Sequence, residues 1–328
     1  MPGYALRLAE SAALGWRHTL TLTCYSNLTF MQAPPALLKF QNKHDKDDDV
    51  VFEESGHVYT FAPTQERIRT SVTGMLKPYF ETFDGPAIAK SGIPRWSCDE
   101  TSKYFQLIQY LRLVHGFDDE RIAMEVVSLW AKNGAKAADA GTNMHRTLEM
   151  HVQKEGLSVA ADDAHGHEIQ LFDNWFSNFF PEMQLKPWRC EFVCALVVDD
   201  VPVVAGSIDL ILVDKHGRFW IVDYKRTNPS KCVLGKRKTH GFKNGPASGP
   251  FSKHESSDFV KYSAQLLSYQ YILENGYGMA VAGCFMLQLH PSLSRANCVP
   301  AADLEDEVAG MFADEIAAAK AEKRETFE

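Results

Sequence analysis

The sequence predicts a mixed α/β domain with a helical N-terminal part. Helical periodicity runs from Asp99 to about Gly156, where apolar residues recur three and four positions apart. β-rich segments with turn residues between them follow, and the chain then returns to a helix, a strand and a final helix. Helices, a β-meander and alternating elements in this order are typical of a sheet covered by helices.

The N-terminal part contains two local signals. Val50–Phe61 is predicted to form a hairpin that turns at Ser55-Gly56. Ser71-Val72-Thr73 is predicted to cap an apolar segment that continues to Phe83. In the helical region that follows, two apolar faces are predicted, one with Leu107, Tyr110, Leu111 and Val114, the other with Ile122, Val126, Leu129 and Trp130.

The remaining elements alternate between strand periodicity and helical periodicity. The predicted strands are Arg189–Val198, Val203–Val213, Arg218–Tyr224 and Ala280–Leu289. The predicted helices are Glu168–Phe180, Asp258–Glu274 and Asp303–Glu322. The second of them is predicted to end at Asn275-Gly276.

The composition excludes several classes of protein. With 34 basic and 42 acidic residues the net charge is −8, which excludes a uniformly basic nucleic-acid coat but not a local basic groove. No segment approaches the roughly 18 apolar residues of a membrane span, so no membrane partner is expected. The seven cysteines form no C-x-x-C pair and indicate reduced thiols inside a cell. Mitochondrial, nuclear and viral-factory locations stay open.

Three ionisable residues interrupt two apolar strands: Asp209, Asp223 and Lys225. Burial of an unpaired charge is unfavourable, so these residues need a reason to be there. A three-residue hairpin loop with Gly217 in the left-handed conformation places Asp214 opposite Arg218. The same register places Asp209 opposite Asp223, with Lys225 on the face of Asp223. The apolar neighbours Ile208, Leu210, Val222 and Tyr224 then face the other way.

Two carboxylates about 5 Å apart at Cβ repel each other unless they are protonated or share a divalent cation. Oxygen ligands of this kind suit Mg²⁺ or Mn²⁺, which also hold substrate phosphates. A lysine beside the cation would orient or help to deprotonate a bound water. The alternative is a structural Asp–Lys ion pair near a strand end.

Two helices add candidate residues. Thr142, His145 and Glu149 share one helical face, and His145 is interpreted as functional because it accompanies the carboxylate pair. Glu149 is open to three roles: a metal ligand, a water-positioning carboxylate or an ordinary helix partner. On the later helix, Gln265 and Tyr269 are four residues apart, a spacing that carries almost no information alone.

These motifs, in this order, resemble the RecB-type branch of the PD-(D/E)XK nucleases. The motifs are Gly141-Thr142-x-x-His145, Glu191, Gly206-x-x-Asp209, Asp223-x-Lys225 and Gln265-x-x-x-Tyr269. The branch includes Cas4-like exonucleases and the mitochondrial genome maintenance exonuclease, which also has a Ser-Val-Thr segment, here Ser71–Thr73. The resemblance covers roughly Ser71 to Glu322.

The resemblance implies a restriction-endonuclease-like core, a mixed β-sheet flanked by helices, with a helical N-terminal part. The expected division is an N-terminal region with hairpin and linker over 1–95, and a nuclease domain over 96–328 with a basic loop over 226–257. The resemblance also implies metal ligands, namely His145, Asp209, Asp223 and the backbone carbonyl of Tyr224.

The other matched residues receive catalytic roles from the resemblance. Lys225 would position or activate the attacking water, and Gln265 and Tyr269 would shape the site beside the flanking helix. Glu191 matches a recurrent acidic position whose role is open. Some members carry an iron–sulfur cluster on closely spaced C-terminal cysteines; here Cys284 and Cys298 stand apart, so no cluster is predicted.

A basic loop follows the strand that carries Lys225. Residues 225–243 include seven Lys or Arg and no acidic residue; those after Lys225 are Arg226, Lys231, Lys236, Arg237, Lys238 and Lys243. Such a run is predicted to neutralise phosphates of a nucleic acid, with Phe242 and Phe251 stacking on unpaired bases. A solvated loop or a nuclear import signal is the alternative.

The sequence therefore predicts a Mg²⁺- or Mn²⁺-dependent DNA nuclease, and its layout favours an exonuclease on single strands or frayed ends. A groove or arch of the N-terminal helices would thread the strand. The alternatives are a structure-selective or nicking endonuclease and a catalytically silent nuclease-fold DNA-binding protein. The sequence leaves open the polarity, the preference for DNA over RNA, the oligomeric state, the protein partners and the pathway.

Overall fold

Two β-sheets and the helices around them make up residues 37–153, 165–229 and 245–325, which a computed structural model describes. In chain order the strands are β1 (Val50–Glu53), β2 (Val58–Phe61), β3 (Glu66–Arg67), β4 (Thr70–Ser71), β5 (Lys186–Val198), β6 (Val201–Val213), β7 (Phe219–Lys225), β8 (Val281–Gln288) and β9 (Asn297–Pro300). The helices are α1 (Leu37–Gln41), α2 (Val72–Leu76), α3 (Gly85–Trp96), α4 (Phe105–His115), α5 (Asp119–Gln153), α6 (Gly166–Asn178), α7 (Asp258–Tyr277) and α8 (Glu305–Glu325).

The larger sheet is mixed, in the order β4-β6-β7-β8-β9, with β5 paired to β6 as well. Parallel pairs are β4–β6 and β7–β8, and the other pairs are antiparallel. Helices α7 and α8 pack on one face, around Ile211 and Ile221. Helices α5 and α6 cover the other face, around Leu210 and Val222. The predicted mixed sheet between helices is confirmed.

Two tight turns set the register of the β-meander. Asp199 and Asp200 both have positive φ, at 51° and 58°, as a two-residue type I′ turn requires. In the next turn Gly217 has φ 78°, and the Asp214 carboxylate accepts the backbone N–H groups of His216 and Arg218 at 2.8 and 2.9 Å. The predicted register of this hairpin is confirmed from Val213–Phe219 to Leu210–Val222.

The hairpin predicted over Val50–Phe61 is confirmed as β1 and β2, with β3 as an unpredicted third strand. The predicted cap is also confirmed, because the Ser71 hydroxyl accepts the backbone N–H of Gly74 at 3.1 Å. The structure adds helix α3, which the sequence analysis missed. Its glycines and prolines are poor helix formers, and they obscured the helical pattern.

Helices α3 and α4 and the start of α5 form a small cluster of their own. The predicted face of α4 is wrong in part: Tyr110 and Val114 are 53% and 63% exposed, whereas Ile108 and Leu111 are buried. The physical reason is that α4 has more apolar residues than its neighbours cover. On α5, Ile122 and Val126 are buried as predicted, but Leu129 is 38% exposed.

The segment before residue 95 contributes directly to the main sheet. Strand β4 pairs with β6, and Val72, Met75 and Leu76 belong to the cluster under α7. The division at residues 95 and 96 stays a prediction. Within the parts of the chain that are described, no helix combines the length and apolarity needed to cross a membrane.

Candidate active site

The larger sheet opens between β6 and β7. Their ladder ends at the Leu210–Val222 pair. Nearer the start of β6, the residues Val204 and Ala205 pair with β4 instead. The Asp209 carboxylate accepts the backbone N–H of Tyr224 at 2.7 Å. A side chain thus takes the place of a main-chain partner, and the ladder pairing expected between Asp209 and Asp223 is not formed.

Glu191 on β5 lies opposite Asp209, between the pairs Cys190–Leu210 and Phe192–Ile208. Its φ of 44° is unfavourable for a residue with a side chain, and such strain is concentrated at functional sites. The Ser207 hydroxyl donates to Glu191 Oε2 at 2.9 Å. This bond holds the carboxylate beside Asp209.

The alternation of side chains along β6 breaks at this point. Ile208 packs in the cluster under α7 and α8, whereas Leu210, Val222 and Tyr224 pack under α5 and α6. The prediction that all four share a face is therefore wrong for Ile208. On the neighbouring strand Glu191, with its positive φ, lies at the same level, and irregular backbone in a sheet is known to re-aim side chains.

His145, Glu191 and Asp209 form a group whose ligand atoms lie within 4.8 Å of one another. Helix α5 supplies the imidazole, whose Nδ1 is 3.4 Å from Asp209 Oδ1. Two carboxylates and an imidazole on three separate elements are a donor set that fits a divalent cation. Glu191, whose role the sequence left open, is one of the three residues of this candidate metal site.

Asp223 and Lys225 form a second cluster beside the first. Lys225 Nζ lies 2.5 Å from Asp223 Oδ2, and both side chains are largely buried. The amide of Gln265 is 3.4 Å from Asp223 Oδ1 and 3.5 Å from the Tyr269 hydroxyl. Asp223 lies outside the three-residue group, so its role as a ligand and that of the Tyr224 carbonyl stay predictions.

Burial and repulsion between carboxylates dominate the electrostatics of the site. Burial and the neighbouring Asp209 raise the pKa of Glu191 to about 7. Burial also raises the pKa of Asp223, against the attraction of Lys225. Burial disfavours the charged form of His145, but the carboxylates around it outweigh this effect and raise its pKa to about 9. A bound cation would relieve the repulsion between these carboxylates.

Helix α7 connects two of the motifs. A Cβ atom on Gly206 would lie 2.7 Å from the Tyr269 ring, so glycine is required where that ring meets β6. Tyr269 is buried, and its ring packs over the strand that carries Asp209. The glycine of Gly206-x-x-Asp209 and the tyrosine of Gln265-x-x-x-Tyr269 are therefore one packing unit.

We expect Gly206→Ala to destabilise the protein by about 1–3 kcal/mol, the usual effect of overpacking. The displaced Tyr269 ring should also lower cleavage by moving Gln265 away from Asp223. Chemical denaturation and a cleavage assay measure both effects. The double variant Gly206→Ala/Tyr269→Leu should recover part of the stability, because leucine leaves room for the new methyl group. Equal stability of wild type and Gly206→Ala would contradict the packing argument.

Other predicted residues do not belong to these clusters. Glu149 accepts the amide of Gln153 at 2.9 Å and is outside the three-residue group. Arg226 Nε is 2.9 Å from Oε1 of the buried Glu168, so its nucleic-acid role stays a prediction.

Phe251 is fully buried against Tyr79 and Phe80, and the prediction that it stacks on bases is wrong. The other loop residues, Lys231, Lys236, Arg237, Lys238, Phe242 and Lys243, lie outside the described residues.

Two residues of the site were missed by sequence reasoning. Ser207 holds Glu191, and the Tyr262 ring lies 4.5 Å from Lys225 Nζ. Tyr262 could have been found from periodicity, because it is three residues from Gln265 on a helix. Ser207 could not, because the alternation along β6 breaks between Ile208 and Leu210.

A search of curated proteins finds no match. A solved structure described as "Crystal structure of SSO0001" is similar at a TM-score of 0.24 and 13% identity, over 46% of this chain and 57% of that one. The family model of the PD-(D/E)XK nuclease superfamily matches residues 125–327, which include every residue of both clusters. This chain belongs to the PD-(D/E)XK nuclease superfamily.

Proposed function

We propose that this chain is a Mg²⁺- or Mn²⁺-dependent deoxyribonuclease that degrades single strands or frayed ends as an exonuclease. The observation that carries the proposal is the meeting of His145, Glu191 and Asp209 beside the Asp223–Lys225 pair. A catalytically silent copy has no need to keep buried carboxylates together, because each adds repulsion and desolvation. The intact set therefore favours an enzyme over a binding protein.

The residues divide the chemistry of phosphodiester hydrolysis between them. Glu191, Asp209 and neutral His145 would hold the cation, with Asp223 as a further ligand in the proposed set. When bound, such a cation makes a water more acidic and stabilises charge on the phosphate. Lys225 would orient the attacking water, whose oxygen bonds to phosphorus as the bond to the leaving sugar oxygen breaks. The water gives up a proton to solvent, and the leaving oxygen takes one from solvent. Its ammonium also offsets negative charge on the phosphate.

The shape of α5 supports a single-stranded substrate. Both ends of this helix bury an apolar stripe, one end with Val126 and the other with Met144 and Leu148. Between them residues 131–139 are all exposed, over about 13 Å of helix. Gly134 and Gly141 interrupt the stripe, and a Cβ added to either would meet nothing within 4 Å.

His145 lies six residues beyond this exposed span, about 9 Å farther along the helix, so a strand that follows α5 would arrive at the candidate metal site. A span of about 13 Å accommodates a single strand better than a duplex, whose major groove alone is about 12 Å wide. In this proposal the strand is threaded past α5 from a free end, which a closed circle lacks. The expected preference is therefore for linear substrates.

We expect linear single-stranded DNA to be shortened from an end in Mg²⁺ or Mn²⁺, while a closed single-stranded circle of the same sequence stays intact. EDTA should stop the reaction, because the carboxylates alone cannot activate water. DNA labelled at the 5′ or the 3′ end, resolved on a denaturing gel, measures the reaction and its polarity. A circle linearised at one site is the matched control.

Two outcomes would contradict the proposal. Circles cut as fast as linear strands would indicate a structure-selective or nicking endonuclease. Binding of DNA without cleavage in either metal would indicate the silent nuclease fold.

A further inference from the structure

Lys225 is held between two groups of opposite character. On one side its ammonium meets the Asp223 carboxylate at 2.5 Å. On the other side the ammonium lies over the ring of Tyr262, 4.5 Å from the centroid. An aromatic ring attracts an ammonium through its negatively polarised face, and the attraction is stronger where water is excluded. The Lys225 side chain is only 15% exposed.

Tyr262 belongs to one face of α7. It lies three residues before Gln265 and seven before Tyr269, so the three side chains follow one another along that face. Each contacts a different part of the site: Tyr262 meets Lys225, Gln265 meets Asp223, and Tyr269 meets Gly206. Helix α7 thus fixes both catalytic strands from one surface.

A lysine needs such a constraint here. Its four-carbon stem is flexible, and its ammonium can reach more than one carboxylate. Asp209 lies close enough to stabilise the charged form of Lys225 electrostatically. An unrestrained ammonium would move toward Asp209 and compete with a cation for that carboxylate. The ring of Tyr262 occupies one side of the ammonium and favours its position beside Asp223.

We propose that Tyr262 is a positioning residue that holds the Lys225 ammonium beside Asp223 through the face of its ring. The inference rests on the proposed function only for its effect on cleavage. The contact that defines this role is the one between the ammonium and the ring. Phenylalanine at this position should therefore preserve it, and an aliphatic side chain should not.

The position of Lys225 can be measured without any cleavage. In protein labelled with ¹³C at lysine Cε, the ring current of Tyr262 should shift the Lys225 signal upfield, and the Lys225→Arg variant identifies that signal by its loss. The shift should persist in Tyr262→Phe and disappear in Tyr262→Leu. Tyr271→Leu is the matched control, because Tyr271 lies on α7 but stacks on Phe312. Should Tyr262→Leu fail to fold, Tyr262→Met serves as a second variant without a ring.

Cleavage provides the second readout. In Tyr262→Leu we expect kcat to fall about tenfold with little change in KM, and Tyr262→Phe to keep most of the rate. An unchanged Lys225 signal in Tyr262→Leu would overturn the inference, and so would equal loss of rate in the Phe and Leu variants. A wild-type protein that shows the signal but no cleavage would refute the proposed function and leave the positioning role standing.

Discussion

Asp209→Asn is expected to lower DNA cleavage by about a thousandfold or more, because it removes a charged ligand from the candidate metal site. The metal-free fold should lose stability near neutral pH, because, against the effect of burial, His145 and Lys225 favour the charged carboxylate and hold the pKa of Asp209 below its ordinary value. The loss should be partial, since an asparagine oxygen can still accept the backbone N–H of Tyr224 and the repulsion between Asp209 and Glu191 disappears. Steady-state cleavage and thermal unfolding of the metal-free protein measure the two effects.

Asp173→Asn is the matched control for this substitution. Asp173 is an exposed carboxylate on α6 that pairs with His151, away from the candidate metal site. It should leave cleavage close to wild type. Asp223→Ala and Lys225→Ala should also abolish cleavage while DNA binding stays largely intact. Wild-type cleavage by Asp209→Asn would refute the assignment of this carboxylate.

Turn chemistry made much of the sheet predictable. Gly217 needs the left-handed conformation, and this fixes the loop length and hence the register of β6 against β7. Charged residues inside these apolar strands then marked the site, because burial of a charge needs compensation. Both features depend on residues close in sequence, where turn geometry and strand alternation can be predicted.

The remaining features depend on contacts between distant residues. Strands β6 and β7 separate at Asp209. Beyond this point β6 pairs with β4, which lies more than a hundred residues earlier in the sequence. The place of Glu191 likewise depends on its register against β6. Phe251 was predicted to stack on bases because it follows a basic run in the same loop, but its ring is buried against Tyr79 and Phe80. No local pattern reports such packing.

Arg226→Met is expected to destabilise the protein by about 3–5 kcal/mol near neutral pH, the usual effect of removing one partner of a buried ion pair. The Glu168 carboxylate is 1% exposed, and Arg226 Nε is 2.9 Å from it. Burial alone would raise the pKa of Glu168, but Arg226 and His165 hold it below the ordinary value of 4.5. In wild type the pair therefore stabilises the fold fully above about pH 4.5 and loses its effect as the pH falls through the lowered pKa.

The pH dependence separates this structural role from binding of nucleic acid. Without Arg226, burial raises the pKa of Glu168. The difference in stability between variant and wild type should therefore begin to shrink above pH 4.5 and continue to shrink until the pH falls through the lowered pKa of wild type. The double variant Glu168→Leu/Arg226→Met should recover most of the lost stability, because it leaves no buried charge unpaired. Urea unfolding at several pH values measures both effects. If Arg226→Met weakens DNA binding with no loss of stability at neutral pH, the guanidinium binds the nucleic acid and does not stabilise the fold.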